Sequence, residues 1–296
     1  MNLTRRTLLQ TSAATTVLAT AGMPAFAAND ELVIAYNVNL PSWDPTVGLS
    51  AVNPTIQGFY QSVFDLYIPQ NPDLSFGSGI ITDYGWTDGN AGIWMEVRDG
   101  VTWHNGDALT VEDVAWSLAR VANPDTGSPI QFIWGKITNI KAEGNRVTAD
   151  MPEFEPTFFK WMSFLTGYVM PKKYYEELGA EGFEAAPIGS GPYMVEKFER
   201  NAFVRLKANE NYWGGAPEFK TVTIKFVTDA ASRVAEVESG NSHVTLEVHY
   251  EEFDRLKAKE GIEGTASPIS DIGMIFLNDI DVMKDPNVRK AAAHAI

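Results

Sequence analysis

The chain has only four histidines among its 296 residues, and three of them stand where chemistry is conceivable. His104 lies in RDGVTWHNGDALTVEDVAWSLARV, with Asp107, Glu112 and Asp113 following and Trp103 and Trp116 on either side. An imidazole among carboxylates is the raw material of a general acid–base pair or a metal site. The second setting is HVTLEVHY, where His243, Glu247 and His249 share one parity and would face one side of a strand. Two imidazoles and a carboxylate are competent metal ligands. Residues 243 and 249 would, however, lie about 20 Å apart along an extended chain, so only Glu247 and His249 could chelate one ion unaided. A third setting is Gly189-Ser190-Gly191. Ile188 and Pro192 replace the outer glycines of a nucleophile elbow, so a tight turn is expected. P-loop, zinc-protease and dinucleotide motifs are absent, and Tyr212-Trp213-Gly214-Gly215 reads as a turn.

The elements around these residues give the histidine at 104 a plainer job. Val101 and Trp103 alternate with Thr102 and His104 before Asn105-Gly106 turns the chain. Thr110 then precedes a stripe at Val111, Val114, Ala115, Leu118 and Ala122, the spacing of an amphipathic helix. Asp113, three residues after Thr110, completes a capping box with Asp in place of Glu, and Glu112 suits the helix dipole. Scaffold is therefore the expectation for the His104 cluster.

Elsewhere the pattern is mixed α/β. Strands are expected over 31–39, 93–100, 193–198, 202–207, 221–227, 243–250 and 271–278, with a hairpin over 136–152 turning at Gly144-Asn145. Helices are expected over 54–66, over 172–182 with a stop at Gly179, over 230–239 capped by Asp229, over 251–261, and from Asp285-Pro286 onward. Residues 67–92 hold little but turn residues, and 155–171 is strongly apolar up to Pro171. The final stretch, VRKAAAHAI, has no stop signal, which suggests a fragment of a longer protein.

The first residues read as an export signal. Arg5-Arg6 in T-R-R-x-L-L resembles the twin-arginine pattern, a mildly apolar run spans Ala13 to Gly22, and Ala25-Phe26-Ala27 fits a cleavage site with Ala28 as the new N-terminus. No cysteine follows, so no lipid anchor is expected there. With no cysteine anywhere, stability must come from the core. The formal charge of −15, made more negative by loss of the two arginines, disfavours nucleic acid and anionic membranes as partners. No stretch reaches the ~20 apolar residues of a membrane helix.

Four segments carry a family resemblance: RDGVTWHNGDALTVEDVAWSL, PIGSGPYMVEKF, NENYWGGAPEFKTVTIKFVTDAASRVAEVESGN and LNDIDVMKDPNVRKAAAHAI. In this order the chain resembles family 5 of the extracellular solute-binding proteins of ABC transporters, the dipeptide/oligopeptide/nickel group. Asn241 and His243 stand where acids are common in that family, and Ser190 where Thr is common.

The resemblance implies an α/β, two-lobed fold of the Venus-flytrap, class II type that closes on its ligand. It implies a lobe 1 core from residues 28–61 and 187–262, an inserted subdomain over 62–186, and the start of a truncated lobe 2 over 263–296. It also implies a periplasmic, monomeric binding subunit that takes a small solute such as a peptide to a membrane permease, with no catalysis and no cofactor. Expected ligand-facing residues are Asn37 and Asn39 at the end of the first strand and Val52 and Asn53 at the start of a helix with free N–H groups. Trp134, and Glu247 or His249 near the crossing to the second lobe, complete the set, with core packing the alternative for Trp134. The competing expectation is a secreted hydrolase or metalloenzyme using His104 or the His243/Glu247/His249 strand.

Overall fold

The computed structural model describes residues 30–266 and 284–294. The signal segment 1–27, the strand expected over 271–278 and most of the segment 263–296 lie outside the described residues. The chain forms two compact units divided between Val248 and His249.

In the first unit the chain runs β1 (Glu31–Tyr36), α1 (Pro54–Tyr60), β2 (Ile81–Trp86), β3 (Gly92–Val97), α2 (Val111–Ala122), β4 (Thr138–Glu143), β5 (Arg146–Asp150), α3 (Lys172–Ala185), β6 (Tyr193–Glu199), β7 (Phe203–Ala208), β8 (Thr221–Phe226), α4 (Ala230–Glu238) and β9 (Val244–Thr245). The second contains α5 (Tyr250–Lys257) and α6 (Pro286–His294).

Two sheets result. The five-stranded sheet has the order β6-β7-β8-β1-β9, and the four-stranded sheet has the order β2-β3-β5-β4. β1 pairs in parallel with β8, from Glu31 opposite Thr221 to Tyr36 opposite Phe226, and in parallel with β9 through Ile34–Val244 and Ala35–Thr245. β6, β7 and β8 are antiparallel neighbours, as are all strands of the smaller sheet. Each sheet has its own core. Ile56, Phe59, Tyr60, Phe64 and Phe183 pack on Val204, Leu206, Val222 and Ile224 of the larger one, and Val114, Leu118, Trp134 and Phe158 on Ile93, Met95 and Val147 of the smaller.

Several elements differ from their sequence pattern. β1 stops at Tyr36 rather than 39. α1 stops at Tyr60, because Val63 and Phe64 both donate to the Tyr60 carbonyl in a tightening turn. β2 arises within 67–92, where its register slips between Ile81 and Asp83 and so breaks the alternation. α3 is interrupted at Gly179 (φ 68°, ψ 179°), a conformation suited to glycine, and resumes to Ala185.

The loop leading to α1 is fixed by Asp44, which pairs with Arg120 of α2 at 2.6 Å, both side chains almost buried. α2 opens with the expected capping box. Asp113 accepts from the Thr110 amide at 2.8 Å and also from the Lys172 amide at 2.9 Å, so one carboxylate caps two helices.

The turn Gly189-Ser190-Gly191 joins both cores. The amide of Gly191 donates to the Val63 carbonyl at 2.9 Å, and a Cβ on Gly189 would stand 1.9 Å from that same oxygen. His104 grips the turn from the other side. Its Nδ1 accepts from the Gly189 amide at 3.1 Å, which places the proton on Nε2, and Nε2 donates to the Gly191 carbonyl at 3.0 Å. Burial, only partly offset by the bond to Gly191, lowers the His104 pKa to about 4. Beneath the turn Asp65 is buried and accepts from Ser190 Oγ at 2.8 Å, Tyr212 Oη at 2.8 Å and Trp213 Nε1 at 3.0 Å. Burial raises its pKa despite these three donors.

Gly189→Ala forces backbone apart and should destabilise the intact protein by about 2 kcal/mol or more, whereas Gly58→Ala, in open space on α1, should stabilise it by ~0.5–1 kcal/mol in chemical denaturation. For His104, unfolded imidazole takes a proton near its ordinary 6.5 and the folded one only near 4. Its contribution is therefore complete above pH 6.5 and is lost as pH falls toward 4. His104→Gln should cost roughly 1–3 kcal/mol at pH 7.5. The difference from wild type should shrink on acidification, whereas parallel stability–pH curves for the two proteins would contradict the assignment.

Candidate functional site

Parallel pairing of β8, β1 and β9 sends their C-terminal ends out along one edge of the larger sheet. Edges of this kind are where open α/β sheets hold ligands. Three chain segments leave the sheet there: 37–39, 227–229 and 246–248.

Asn37 is half-buried, and its Oδ1 is fully covered with no hydrogen-bond donor among the described residues. Asn39 is exposed. Tyr36 ends β1, and its hydroxyl donates to the Thr55 carbonyl at 2.6 Å, tying the edge to the first turn of α1. Burial, with the charge of Glu247 adding, pushes the Tyr36 pKa up to about 12, so the phenol remains a neutral donor. Glu247 is exposed and takes a left-handed backbone conformation, φ 52°.

The start of α1 is not the anion cradle expected of it. Pro54 has no N–H, and the Thr55 and Ile56 amides donate to Asn53 Oδ1 at 2.9 and 3.3 Å. Asn53 is thus a helix cap whose acceptor consumes the first-turn donors. Val52 and Leu49 beside it are exposed apolar side chains, 36% and 72% accessible, giving the edge a greasy flank.

The histidine strand does not form as expected. β9 covers only Val244–Thr245, and the left-handed Glu247 breaks any extension. His243 instead serves the sheet: its amide donates to the Val33 carbonyl at 2.8 Å and its Nδ1 accepts from the Val33 amide at 2.9 Å. His249 is exposed at the N-cap position of α5, in the second unit, with no side-chain capping bond. The shared parity that would align the three residues is therefore lost, and no group of three metal-ligating residues is assembled among the described residues.

Trp134 is wholly buried, packed against Tyr67 and Phe158 at 5.9 and 5.6 Å between ring centres. It fills the smaller sheet's core, which corrects the expectation that it lines a pocket. His104 has both nitrogens engaged by backbone, and Ser190 donates to Asp65 rather than to an imidazole, so neither forms a nucleophile–base pair. Two surface grooves, of about 730 and 640 Å³, adjoin α3 and include none of the edge residues.

Sequence reasoning missed two members of the edge. Tyr36 was one residue of an expected strand, and Arg233 one residue of an expected helix, neither singled out. In fact Arg233 is 4% accessible and donates to carbonyls of segments 227–228 and 246–247. Nothing in the spacing marks a buried cation on a helix of ordinary amphipathic pattern.

Residues 76–296 match the model of the bacterial extracellular solute-binding proteins, family 5 Middle. The glutathione-binding protein of Salmonella paratyphi A is 27% identical over 286 residues, 93% of this chain and 54% of the relative. Its counterpart in Escherichia coli O157:H7 is 25% identical over 282 residues, 92% of this chain and 53% of the relative. Among solved structures, NikZ of Campylobacter jejuni in complex with Ni(L-His) superposes with a TM-score of 0.77 at 22% identity, over 90% of this chain and 53% of that one. A dipeptide-binding protein of Pseudoalteromonas sp. SM9913 in complex with Met-Leu gives 0.70 at 21% identity, over 78% and 50%. The mixed α/β fold matches that of the periplasmic binding proteins, and the chain spans about half the length of the curated relatives it matches. With the family model covering most of its length, the chain belongs to family 5 of the bacterial extracellular solute-binding proteins.

Proposed function

We propose that the intact protein is the substrate-binding subunit of an ABC importer, exported through its twin-arginine-type segment and processed near Ala27–Ala28. Two lobes close on a small solute and present it to a membrane permease, with the protein acting as a monomer and without catalysis. Residues 28–61 and 187–262 are read as the core of the first lobe, 62–186 as its inserted subdomain, and 263–296 as the start of the second.

The observation that carries this reading is the parallel register of β8, β1 and β9, which gathers Asn37, Asn39 and Glu247 at one edge in a chain of this family. The chemistry of that edge suits an amino-acid-derived solute. Asn37 and the exposed Asn39 bring side-chain amides, Glu247 pairs with a protonated amine, and Val52 with Leu49 offers an apolar wall. Asn53 acts by capping α1 and fixing that wall. Trp134, in the core of the smaller sheet, takes no part. Relatives named for glutathione, for a dipeptide and for a nickel–histidine complex point to the same solute class.

Closure is driven only by what the solute gains in the closed state over the open one. Isothermal titration of the intact mature protein with glutathione, Met-Leu, nickel–histidine and an opine should find one tight solute. Glu247→Gln should then weaken an amine-bearing solute about tenfold or more, about 1.4 kcal/mol, with little change in the unliganded thermal midpoint. No binding across the panel, or unchanged affinity in both Glu247→Gln and Asn37→Ala, refutes the reading.

A further inference from the structure

β9 is an edge strand of two residues, too short to hold itself, and it leads directly to the segment that leaves the first unit. Helix α4 holds both its ends from positions three apart. At the start, Ser242 donates its amide to the Glu236 carbonyl and its hydroxyl to Glu236 Oε2, each at 3.0 Å. At the end stands Arg233. Its Nη1 donates to the carbonyls of Thr228 at 2.8 Å and Val227 at 3.0 Å, its Nη2 to Glu247 at 3.1 Å, and its Nε to Leu246 at 3.3 Å. A rigid planar fork can serve four carbonyls on two segments at once; an ammonium on a flexible stem cannot hold that geometry. The guanidinium is buried, and its hydrogen-bond partners among the described residues are all backbone carbonyls.

Between two of those carbonyls lies the strain. Glu247 occupies the left-handed region, which a side chain bearing a Cβ adopts only when its surroundings insist. Arg233 holds the carbonyl on each side of the Glu247 amide-to-carbonyl span, at residues 246 and 247.

We infer that Arg233 is a positioning residue: by clamping the ends of β8 and β9 it enforces the left-handed turn at Glu247 and so sets where that carboxylate stands on the binding edge. The value of this placement for binding rests on Glu247 facing the solute, as proposed above, while the clamp itself does not.

The test uses the intact protein without solute and reads amide hydrogen exchange together with the thermal midpoint. Arg233→Lys should speed exchange of the amides at 245–249 about tenfold or more while leaving β6 and β7 unchanged. Glu247→Gly in the same background should recover part of the lost midpoint, because glycine takes positive φ without strain. Generic packing by Arg233 would give the same loss whatever residue stands at 247. Should Arg233→Lys not fold, Glu247→Gly alone decides: an equal or higher midpoint with protected amides supports the clamp, and a lower midpoint with lost protection overturns it. Unchanged exchange at 245–249 in Arg233→Lys, or no recovery by Glu247→Gly, also overturns it. No solute enters these measurements, so their failure is separate from failure of the titrations.

Discussion

Parallel hydrogen bonding on both sides of β1 is the constraint from which the rest follows. Antiparallel neighbours would send adjoining chain ends to opposite edges, whereas β8, β1 and β9 release theirs together. That geometry needs long connections between the strands. The β1-to-β8 connection contains the whole smaller sheet. Its attachment must then be secure, and the Gly189–Gly191 turn supplies this. Backbone from Val63, an imidazole from His104 and a carboxylate from Asp65 converge on three residues.

The same chemistry is used in opposite ways at the two places. At the turn, buried polar atoms are paired: His104 has both nitrogens satisfied and Asp65 has three donors, which offsets the cost of burying a titratable group. At the sheet edge, Asn37 Oδ1 has no donor among the described residues and Glu247 sits in a strained conformation.

How much of this was readable beforehand depends on the range of the interaction. Capping at Thr110–Asp113, the cap by Asp229 and the hairpin turn at Gly144-Asn145 are decided within a few residues, and the structure has all three. The scaffold role of His104 was also legible, though its partners, 85 and 87 residues away, were not. β9 misled because alternation in HVTLEVHY is a strand signal, and nothing local reveals that Arg233 pulls on the carbonyls of 246 and 247. Asn53 misled differently. The helix start was placed correctly, but the cap that makes it a good start also takes the N–H groups a ligand would need. Trp134 shows the bias of reading an aromatic as a platform when a core has more use for it.

The central claim is that solute binds at the C-terminal edge of the parallel strands. A crystal structure of the intact protein with its tightest solute tests it most directly. The account predicts solute density against Asn37 and Glu247, with the amine within hydrogen-bonding distance of the Glu247 carboxylate. Density lodged instead in the groove between Asp107 and Lys172 beside α3, with the edge untouched, would contradict it.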